Sequence, residues 1–290
     1  MHQIERAQVV VTRRWPFDAS AAPGVRLIQS IGAGTDSYVR ENIPPNAYLC
    51  NVYEHEESIA EHVFMTALAL LRDLFEMDRE LREGNWAKSA MGSDPPRRAL
   101  RGLTLGVVGF GRIGKALVAL ANAFGMKVVA TRGRSSHSPK PPGVSFLGGP
   151  EDKETVLAES DVIVVSTPLN RHTAGLIAAR ELSLMKTSAV LINVSRGAVV
   201  DEAALFEALR SRQIAGAAID VWYQYPAGGE QQLPSRLPFH ELDNVVMTPH
   251  SAGWTNDTVS RRWSEIAFNI DRIARNQTPN NVVFGPTPTR

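Results

Sequence analysis

The chain has 290 residues, of which 43% are hydrophobic and 21% are charged, and its formal net charge at pH 7 is +1. This length suits two α/β domains, and a nearly neutral chain argues against nucleic acid as the main partner. The single cysteine, Cys50, excludes a disulfide framework. It lies in an apolar, strand-like run at 48–51, which favours a buried thiol and a reducing, cytoplasmic compartment.

The sequence also argues against a membrane segment and a metal site. No stretch approaches eighteen uninterrupted apolar residues, and the N-terminal residues lack the apolar core of a secretory signal. Five histidines have no second His, Cys or carboxylate at metal-ligand spacing: His55, His62, His137, His172 and His240. We therefore expect neither a membrane nor a metal partner.

A glycine-rich turn joins a predicted strand to a predicted helix in the middle of the chain. The apolar run 103–108 is followed by three glycines, Gly109, Gly111 and Gly114. The first would permit a tight turn, the second would let backbone amides approach a pyrophosphate, and the third would allow close helix packing. Alone, this pattern would fit any buried helix after a turn. The helical pattern at 113–124 and the buried run at 126–130 complete a βαβ unit, which predicts a dinucleotide site.

The second strand of this unit ends in basic residues. An NAD-binding unit usually carries an Asp or Glu there, which binds the ribose 2′-hydroxyl. No acidic residue occurs between Asp94 and Glu151. Arg132 and Arg134 could instead hold a 2′-phosphate through charge-assisted hydrogen bonds, which predicts NADP over NAD. The same arginines would suit an exposed, solvated turn, and the sequence leaves that alternative open.

Strand-like and helix-like patterns alternate over the rest of the chain. The predicted strands are 161–166, 189–194, 215–221 and 244–248. An amphipathic helix is predicted over 201–212, and the polar or Pro- and Gly-rich segments 89–101, 135–150 and 226–238 indicate loops. This alternation predicts a parallel sheet with crossover helices.

Residues that could bind a ligand or take part in catalysis directly follow these strands. They are Thr167, Pro168, Ser195, Arg196, Asp220 and His250. Ligands of open α/β sheets bind outside the carboxyl ends of the strands. We therefore expect Arg196, Asp220 and His250 to lie in one crevice.

Six segments, taken together, are specific: SIGAGTD at 30–36, SIAEH at 58–62, LRGLTLG at 100–106, NVSRG at 193–197, AIDV at 218–221 and TPHSAG at 248–253. The chain resembles the D-isomer-specific 2-hydroxyacid dehydrogenase family along nearly its whole length. The resemblance implies two Rossmann-like lobes with the active site between them. A doubly wound parallel-sheet cofactor domain at 54–257 would be inserted in a smaller flavodoxin-like substrate domain at 1–53 and 258–290. It also implies a homodimer formed largely through the cofactor lobe, with a helix at 58–82 contributing.

The resemblance also implies roles for particular residues. Arg196 would hold the substrate carboxylate and polarise the carbonyl. His250 would donate the proton in reduction and accept it in oxidation, while Asp220 would contact the cofactor on its nicotinamide side. The backbone amides of Gly32, Ala33 and Gly34 would assist with the carboxylate. The remaining implied cofactor contacts are Arg112, Ile113, Thr167, Pro168, Val194, Ser195 and Gly253.

The chain departs from the family at a third catalytic residue, a glutamate that pairs with the histidine. Tyr225 stands at that position. An anionic partner raises the pKa of a neighbouring cation by about one to three units, so a neutral phenol should give His250 a lower pKa than in the family and weaken reduction more than oxidation. Adjacent Gln224 resembles the formate dehydrogenase branch. However, Arg72 and Asp73 stand where that branch places Arg and a substrate-holding Asn, so formate oxidation is the weaker alternative.

A second departure is at the front of the chain. Residues 8–12 resemble the family's second strand, so the usual first strand and helix have no counterpart. We expect a small substrate lobe, and the sequence does not separate a naturally reduced lobe from a start that omits residues. Arg13, Arg14 and Trp15 would either reach the cleft or form a solvated loop with one anchoring aromatic.

An aromatic group near the predicted site allows two interpretations. Its members are Trp222, Tyr223, Tyr225 and Trp254, which would shape an apolar substrate pocket or seal the interface between the lobes. The leading prediction is an oxidoreductase that uses NADPH to reduce a glyoxylate-like or hydroxypyruvate-like 2-oxo acid. The alternative is a catalytically weak or inactive NADP(H)-binding sensor or interaction protein.

Overall fold

The computed structural model describes residues 4–90, 92, 95–133, 139–228 and 231–286. Contacts divide the chain into two units, Met1–His55 with Trp254–Arg290, and Glu56–Gly253. The chain therefore leaves the first unit once, builds the second from one continuous segment, and then returns.

Eleven strands and seven α-helices occur in the described part of the chain. The strands are β1 (Val9–Thr12), β2 (Leu27–Ser30), β3 (Tyr48–Cys50), β4 (Thr104–Val108), β5 (Lys127–Thr131), β6 (Phe146–Gly148), β7 (Val162–Val165), β8 (Val190–Asn193), β9 (Gly216–Ile219), β10 (Val245–Met247) and β11 (Val282–Phe284). The helices are α1 (Glu56–Leu71), α2 (Leu74–Arg82), α3 (Arg112–Ala123), α4 (Lys153–Glu159), α5 (Ala179–Leu184), α6 (Glu202–Arg210) and α7 (Asn256–Ala274).

The smaller unit contains a four-stranded sheet in the order β1-β2-β3-β11. The first three strands are parallel, and β11 is antiparallel to β3. The buried amide of Asn269 on α7 donates to Gln29 Oε1 on β2 at 2.9 Å, and its oxygen accepts from the Asn280 amide at 2.7 Å. These bonds fix α7 and the approach to β11 against the sheet.

Residues 13–15 follow β1 in the smaller unit. Trp15 is buried and its indole N–H donates to the Asn42 carbonyl at 2.8 Å, whereas Arg13 and Arg14 are exposed. This arrangement is that of a solvated loop with one anchoring aromatic.

The larger unit contains seven parallel strands in the order β10-β9-β8-β7-β4-β5-β6. Successive residues of β7 point to opposite faces, so Val162 and Val164 join one apolar core while Ile163 and Val165 join another. A strand that is buried on both faces reads as a continuous Val- and Ile-rich run, which is how the sequence of β7 reads. The expected doubly wound α/β fold is confirmed.

The strand order reverses between β4 and β7, because β5 and β6 lie on one side of β4 and β8–β10 lie beyond β7. In doubly wound sheets, ligands bind at such a reversal, outside the carboxyl ends of the strands. The fold therefore directs attention to the loops that follow β4, β7 and their neighbours.

The expected single helix over 58–82 is wrong, because the structure has two helices, α1 and α2, with a break between them. Asp73 takes a left-handed conformation with φ at 51°, which a helix interior does not accommodate. Its carboxylate lies 3.1 Å from Arg97 Nε. The apolar periodicity continues across the break, and it concealed the break in the sequence.

Three strands lie where the sequence predicted none, and the four-residue strand β2 is one of them. β6 falls in the segment 135–150, which was expected to be a loop, and β11 follows α7. Each of these two has three residues, so neither is long enough to show an alternating pattern. Among the described residues, no helix is long and apolar enough to cross a membrane.

Candidate active site

The sheet order lays out the predicted site residues along one edge of the larger unit. Following β10, β9, β8, β7, β4 and β5 in that spatial order come His250, Asp220, Arg196, Thr167, Gly109 and Arg132. The half of the edge at β10, β9 and β8 therefore carries the ionisable side chains His250, Asp220 and Arg196. The other half carries the glycine turn and the strand ends beside it.

The three glycines of the turn differ in what surrounds them. Gly109 has φ at +100°, and a Cβ there would lie 2.5 Å from Thr167 Cγ2. A Cβ on Gly114 would lie 2.8 Å from the Phe110 ring, so this glycine lets α3 close on its own leading loop. Gly111 differs from both, since a Cβ there would meet no atom of the described part of the chain within 4 Å.

The open side of Gly111 lies at the start of α3. Gly111 is the N-cap residue of this helix, and the first N–H groups of a helix have no intrahelical acceptor. They and the helix dipole favour an anion, and Arg112 adds a cation at the first turn. Nearby, Thr167 Oγ1 is buried and has no hydrogen-bond partner among the residues that the structure describes. These features fit the pyrophosphate of a dinucleotide.

The end of β5 carries the predicted 2′-phosphate site. Arg132 is half-buried and its backbone N–H donates to the Gly148 carbonyl at 3.1 Å, whereas Arg134 lies outside the described residues. Pairing of β5 with β6 sets Thr131 opposite Gly148, which brings the acidic turn at 151–152 to the same edge. Asp152 uses one oxygen to accept the Gly149 amide at 2.8 Å. The sequence, in which this segment is purely basic, did not indicate those acids.

The loop after β8 holds Arg196 through its neighbours. The side chain of buried Asn193 donates to the Arg196 carbonyl at 3.1 Å and accepts from the Ser195 hydroxyl at 2.7 Å. A Cβ on Gly197 would lie 2.4 Å from the Trp222 carbonyl oxygen, so this loop packs directly on the backbone that follows β9. Arg196 itself is half-buried, and Val194 and Ser195 are buried beneath it.

Asp220 is a buried anchor of the loop that follows β10. One oxygen accepts from the Thr248 hydroxyl at 2.6 Å and the Ser251 amide at 2.9 Å, and the other accepts from the Ala252 amide at 3.0 Å. Through these hydrogen bonds, Asp220 fixes the backbone of the loop after β10, in addition to any contact with the nicotinamide side of a cofactor.

A histidine on α1 reaches the same network. His62 Nε2 lies 3.5 Å from Thr248 Oγ1, the hydroxyl that donates to Asp220. Burial lowers the pKa of His62, and the charge of Asp220 opposes that shift. His62 is therefore a neutral neighbour of the Asp220 network near pH 7.

His250 sits in a strained backbone conformation, with φ at 56°. The backbone N–H of His250 donates to the Thr248 carbonyl at 3.1 Å. The same carbonyl accepts the Trp222 indole N–H at 2.8 Å. Left-handed backbone in a residue with a side chain persists only where the surroundings hold it. Here Asp220 and Trp222 hold the loop on both sides of His250.

The phenol of Tyr225 pairs with His250. Tyr225 Oη lies 3.0 Å from His250 Nδ1 and accepts the Trp222 backbone N–H at 3.0 Å. The two rings are tilted at 50°, with their centroids 5.7 Å apart. The sequence placed Tyr225 opposite the histidine, and the structure brings them together across 25 residues of chain.

Sequence reasoning gave no individual role to Asn193, Thr248 or the Trp222 indole. The first two stand in the segments NVSRG and TPHSAG directly at strand ends, and that position is the signal that could have identified them. Among the described residues, no group of three His, Cys, Asp or Glu side chains could hold a metal ion.

Gly32, Ala33 and Gly34 follow β2 in the smaller unit. The Gly32 carbonyl accepts the Val52 amide at 3.2 Å, and the Ala33 carbonyl accepts from the Asn51 side chain at 2.8 Å. These bonds use carbonyl groups of the turn. The Gly32 amide is turned to the Ser30 hydroxyl at 3.3 Å.

Comparison with known proteins identifies the family of the chain. Residues 64–252 match the NAD-binding domain of the D-isomer specific 2-hydroxyacid dehydrogenases. The chain is 36% identical over 268 residues to a glyoxylate reductase of Thermococcus litoralis, an alignment that covers 90% of this chain and 78% of the relative.

Two solved structures agree with that match. D-lactate dehydrogenase from Aquifex aeolicus, complexed with NAD and lactic acid, superposes with a TM-score of 0.84 and 26% sequence identity. The match covers 98% of this chain and 89% of the lactate dehydrogenase chain. A D-isomer specific 2-hydroxyacid dehydrogenase from Xanthobacter autotrophicus, in complex with NADPH and MES, has a TM-score of 0.77 and 32% identity, covering 97% and 84%. The chain belongs to the D-isomer-specific 2-hydroxyacid dehydrogenase family and is an oxidoreductase of 2-hydroxy and 2-oxo acids.

Proposed function

We propose that this chain reduces a small 2-oxo acid with NADPH, and that glyoxylate or hydroxypyruvate is the leading substrate. The relative from Thermococcus litoralis, a glyoxylate reductase, supports that choice of acid. One observation carries the proposal. Arg196 and His250 follow β8 and β10, on either side of β9, at the edge that also carries the glycine turn.

The two residues have complementary tasks. The planar guanidinium of Arg196 can hold a carboxylate by two parallel hydrogen bonds and polarise the adjacent carbonyl. His250 exchanges a proton with the substrate oxygen, because imidazole titrates near working pH. The proposal also retains the amides of Gly32, Ala33 and Gly34 as substrate-binding groups.

The cofactor would be held by groups already present around the turn. Gly111 leaves room for a pyrophosphate, the amides at the start of α3 with Arg112 and Ile113 would bind it, and Thr167 Oγ1 offers a buried hydroxyl. Pro168, Val194, Ser195 and Gly253 would line the remainder. A bound nicotinamide supplies or accepts the hydride.

The choice of NADPH depends on the end of β5. Arg132 would pair with a 2′-phosphate, and Arg134 would assist it. The Xanthobacter structure contains NADPH and the Aquifex structure contains NAD, so both cofactors occur among similar proteins. Binding of both cofactors to the unchanged protein and to Arg132→Ala decides between them for this chain.

The test is a fluorescence titration with NADPH and NADH, followed in the same cuvette by glyoxylate, hydroxypyruvate, pyruvate and phenylpyruvate. We expect NADPH to bind more tightly than NADH and one acid to consume it. Arg132→Ala should weaken NADPH binding and leave NADH binding unchanged. Equal binding of both cofactors by the unchanged protein contradicts the 2′-phosphate site.

Two substitutions then assign the chemistry. Arg196→Ala should lower kcat/KM about 100- to 1000-fold, and His250→Ala about 100-fold or more. The matched controls are Arg212→Ala, at a surface ion pair with Asp243, and His172→Ala, at an exposed contact with Arg171. Tight cofactor binding without turnover of any acid, from acidic to neutral pH, would instead favour the sensor alternative.

We also propose a homodimer formed through the larger unit. Apolar side chains that are at least half exposed gather on α1, on α2 and just after it: Met65, Leu74, Phe75, Leu81 and Trp86. Exposed apolar groups gathered in this way mark protein interaction surfaces. A second copy of this chain is the partner that the family resemblance implies.

A further inference from the structure

The turn after β2 is fixed through its carbonyl groups. The Gly32 carbonyl accepts the Val52 amide at 3.2 Å, and the Ala33 carbonyl accepts from Asn51 Nδ2 at 2.8 Å. Asn51 and Val52 directly follow β3, the strand that pairs with β2. Two successive carbonyls of the turn are therefore directed at the same short segment of chain.

The direction of these carbonyls sets the direction of two amides. The peptide bonds of the turn are trans, and in a trans peptide the C=O and the following N–H point in opposite directions. The N–H groups of Ala33 and Gly34 consequently both point away from residues 51–52. Neither has a hydrogen-bond acceptor among the described residues. Successive amides that point to one side form a group of donors that suits an anion.

Asn51 uses the donor of its side chain and not the acceptor. The residue is 5% exposed, and its Oδ1 is buried without a hydrogen-bond partner among the residues that the structure describes. A buried acceptor that lacks a donor lowers stability. The stability of the sheet therefore does not explain an asparagine at this position, whereas the hydrogen bond to the Ala33 carbonyl does.

Buried amides hold Asn51 itself in place. Its backbone N–H donates to the Asn281 carbonyl at 3.2 Å, and its carbonyl accepts from Gln29 Nε2 at 3.2 Å. Gln29 Oε1 in turn accepts from the Asn269 side chain on α7 at 2.9 Å. Both Gln29 and Asn269 are fully buried. Asn51 therefore meets the turn from a fixed position.

We propose that Asn51 is a positioning residue for substrate binding. Its side chain holds the Ala33 carbonyl, so that the amides of Ala33 and Gly34 present two donors on one side to the carboxylate of the 2-oxo acid. This inference rests on the proposed 2-oxo acid reduction and deepens its substrate site. Asn51 acts through the turn and does not itself touch the acid.

This role has a particular kinetic signature. The carboxylate carries the same charge in the 2-oxo acid and in the transition state, so hydrogen bonds to it stabilise both alike. Loss of such uniform binding raises KM and leaves kcat nearly unchanged. Loss of a proton donor such as His250 lowers kcat instead.

The kinetic test compares the unchanged protein with Asn51→Ala and Asn51→Asp in NADPH-dependent reduction of the acid that the protein consumes. Asn51→Asp keeps the shape of the side chain but turns an oxygen, in place of a donor, toward the Ala33 carbonyl. We expect KM to rise about tenfold or more in both variants, with kcat within about threefold of the unchanged protein.

Asn269→Ala is the matched control, because it removes another buried amide of the same network that does not contact the turn. Asn269 makes three hydrogen bonds through its side chain, to Gln29 and to the backbone of Asn280. Urea unfolding should show Asn269→Ala to be at least as destabilised as Asn51→Ala, while its KM stays close to that of the unchanged protein. An unchanged KM in a folded Asn51 variant overturns the inference. An equal rise of KM in Asn269→Ala overturns it as well, because the effect would then belong to the stability of the sheet.

A second readout requires neither a variant nor turnover. Oxamate is an amide analogue of a 2-oxo acid that resists hydride transfer. In ¹H–¹⁵N NMR spectra of the full chain with NADPH, saturating oxamate should shift the amide resonances of Ala33 and Gly34, while the side-chain amide hydrogens of Asn51 stay protected from exchange. Absence of these shifts overturns the inference.

The two readouts separate this inference from the proposed function. If the unchanged protein reduces no acid while oxamate shifts both amides, the reduction is refuted, and the oxamate affinity of Asn51→Ala decides the role of Asn51. If the protein reduces an acid while neither KM nor the two amides respond, the reduction stands and the role of Asn51 is refuted.

Discussion

At the residue scale, the glycine turn shows that one motif contains three different physical requirements. Gly109 is required by backbone conformation and by Thr167, and Gly114 is required by the Phe110 ring. No heavy atom of the described residues lies within 4 Å of a Cβ placed on Gly111, so no steric contact there requires a glycine. A glycine that the fold does not need is most simply explained by a ligand that approaches it.

This difference predicts opposite behaviour of two alanine variants. Gly111→Ala should unfold at nearly the same urea concentration as the unchanged protein but bind NADPH at least tenfold more weakly. Gly109→Ala should lower stability by about 1–3 kcal/mol, because the strained φ and the contact with Thr167 act together. Urea unfolding and fluorescence titration measure both effects. Unchanged cofactor binding by Gly111→Ala would contradict the cofactor site.

At the element scale, an ionic cluster fastens the amino ends of the sheet, opposite the site. Asp161, which precedes β7, accepts the Thr104 amide at 2.9 Å, Arg98 Nη2 at 2.7 Å and Lys186 Nζ at 3.2 Å. Burial raises the pKa of the Asp161 carboxyl, but Thr104, Lys186 and Arg98 together hold it below its ordinary value. The cluster joins the starts of β4 and β7 to segments from elsewhere in the chain.

The sign of the pH dependence follows from that lowered pKa. Folding favours the ionised form of Asp161, so its contribution is present above the ordinary carboxyl pKa of about 3.9 and is lost as pH falls through the lower folded pKa. Each unit of depression is worth about 1.4 kcal/mol. Asp161→Asn should therefore be less stable at pH 7 and lose less stability between pH 5 and 3.

Urea unfolding at several pH values measures this prediction. The control is Asp243→Asn, which removes an exposed ion pair with Arg212 and should change stability by less than about 1 kcal/mol. Equal pH dependence of Asp161→Asn and the unchanged protein would refute the assignment.

At the scale of the whole molecule, the chain consists of two units, one of which is a continuous insertion in the other. The larger unit has exposed apolar side chains on α1 and α2, and the proposed homodimer would cover them. Phe75, on α2, is 60% exposed and contributes a large apolar surface there.

The dimer proposal makes a prediction about mass in solution. Phe75→Glu should shift the protein from dimer to monomer in light scattering, because the dimer interface would have to bury an unpaired carboxylate. Exposed Phe268 on α7, in the smaller unit, provides the control, and Phe268→Glu should leave the mass unchanged. A monomeric unchanged protein would refute the proposal directly.

The sequence by itself determined the sheet and most of the residues along its edge. Apolar runs rich in Val, Ile and Leu located β7 and β8 to within two residues, because a strand buried on both faces is apolar along most of its length. The glycine turn at 109–114 and the polar residues after each strand were predicted in the same way, from their positions directly after the apolar runs.

The tertiary structure alone decided the contacts that give those residues their chemistry. The hydrogen bond between Tyr225 Oη and His250 Nδ1, the three donors on Asp220 and the pairing of Thr131 with Gly148 each join residues that are separated in sequence. The break at Asp73 likewise depends on a left-handed backbone that the apolar periodicity conceals. Sequence patterns record which face a residue occupies, whereas hydrogen-bond direction and register are set only when distant segments pack.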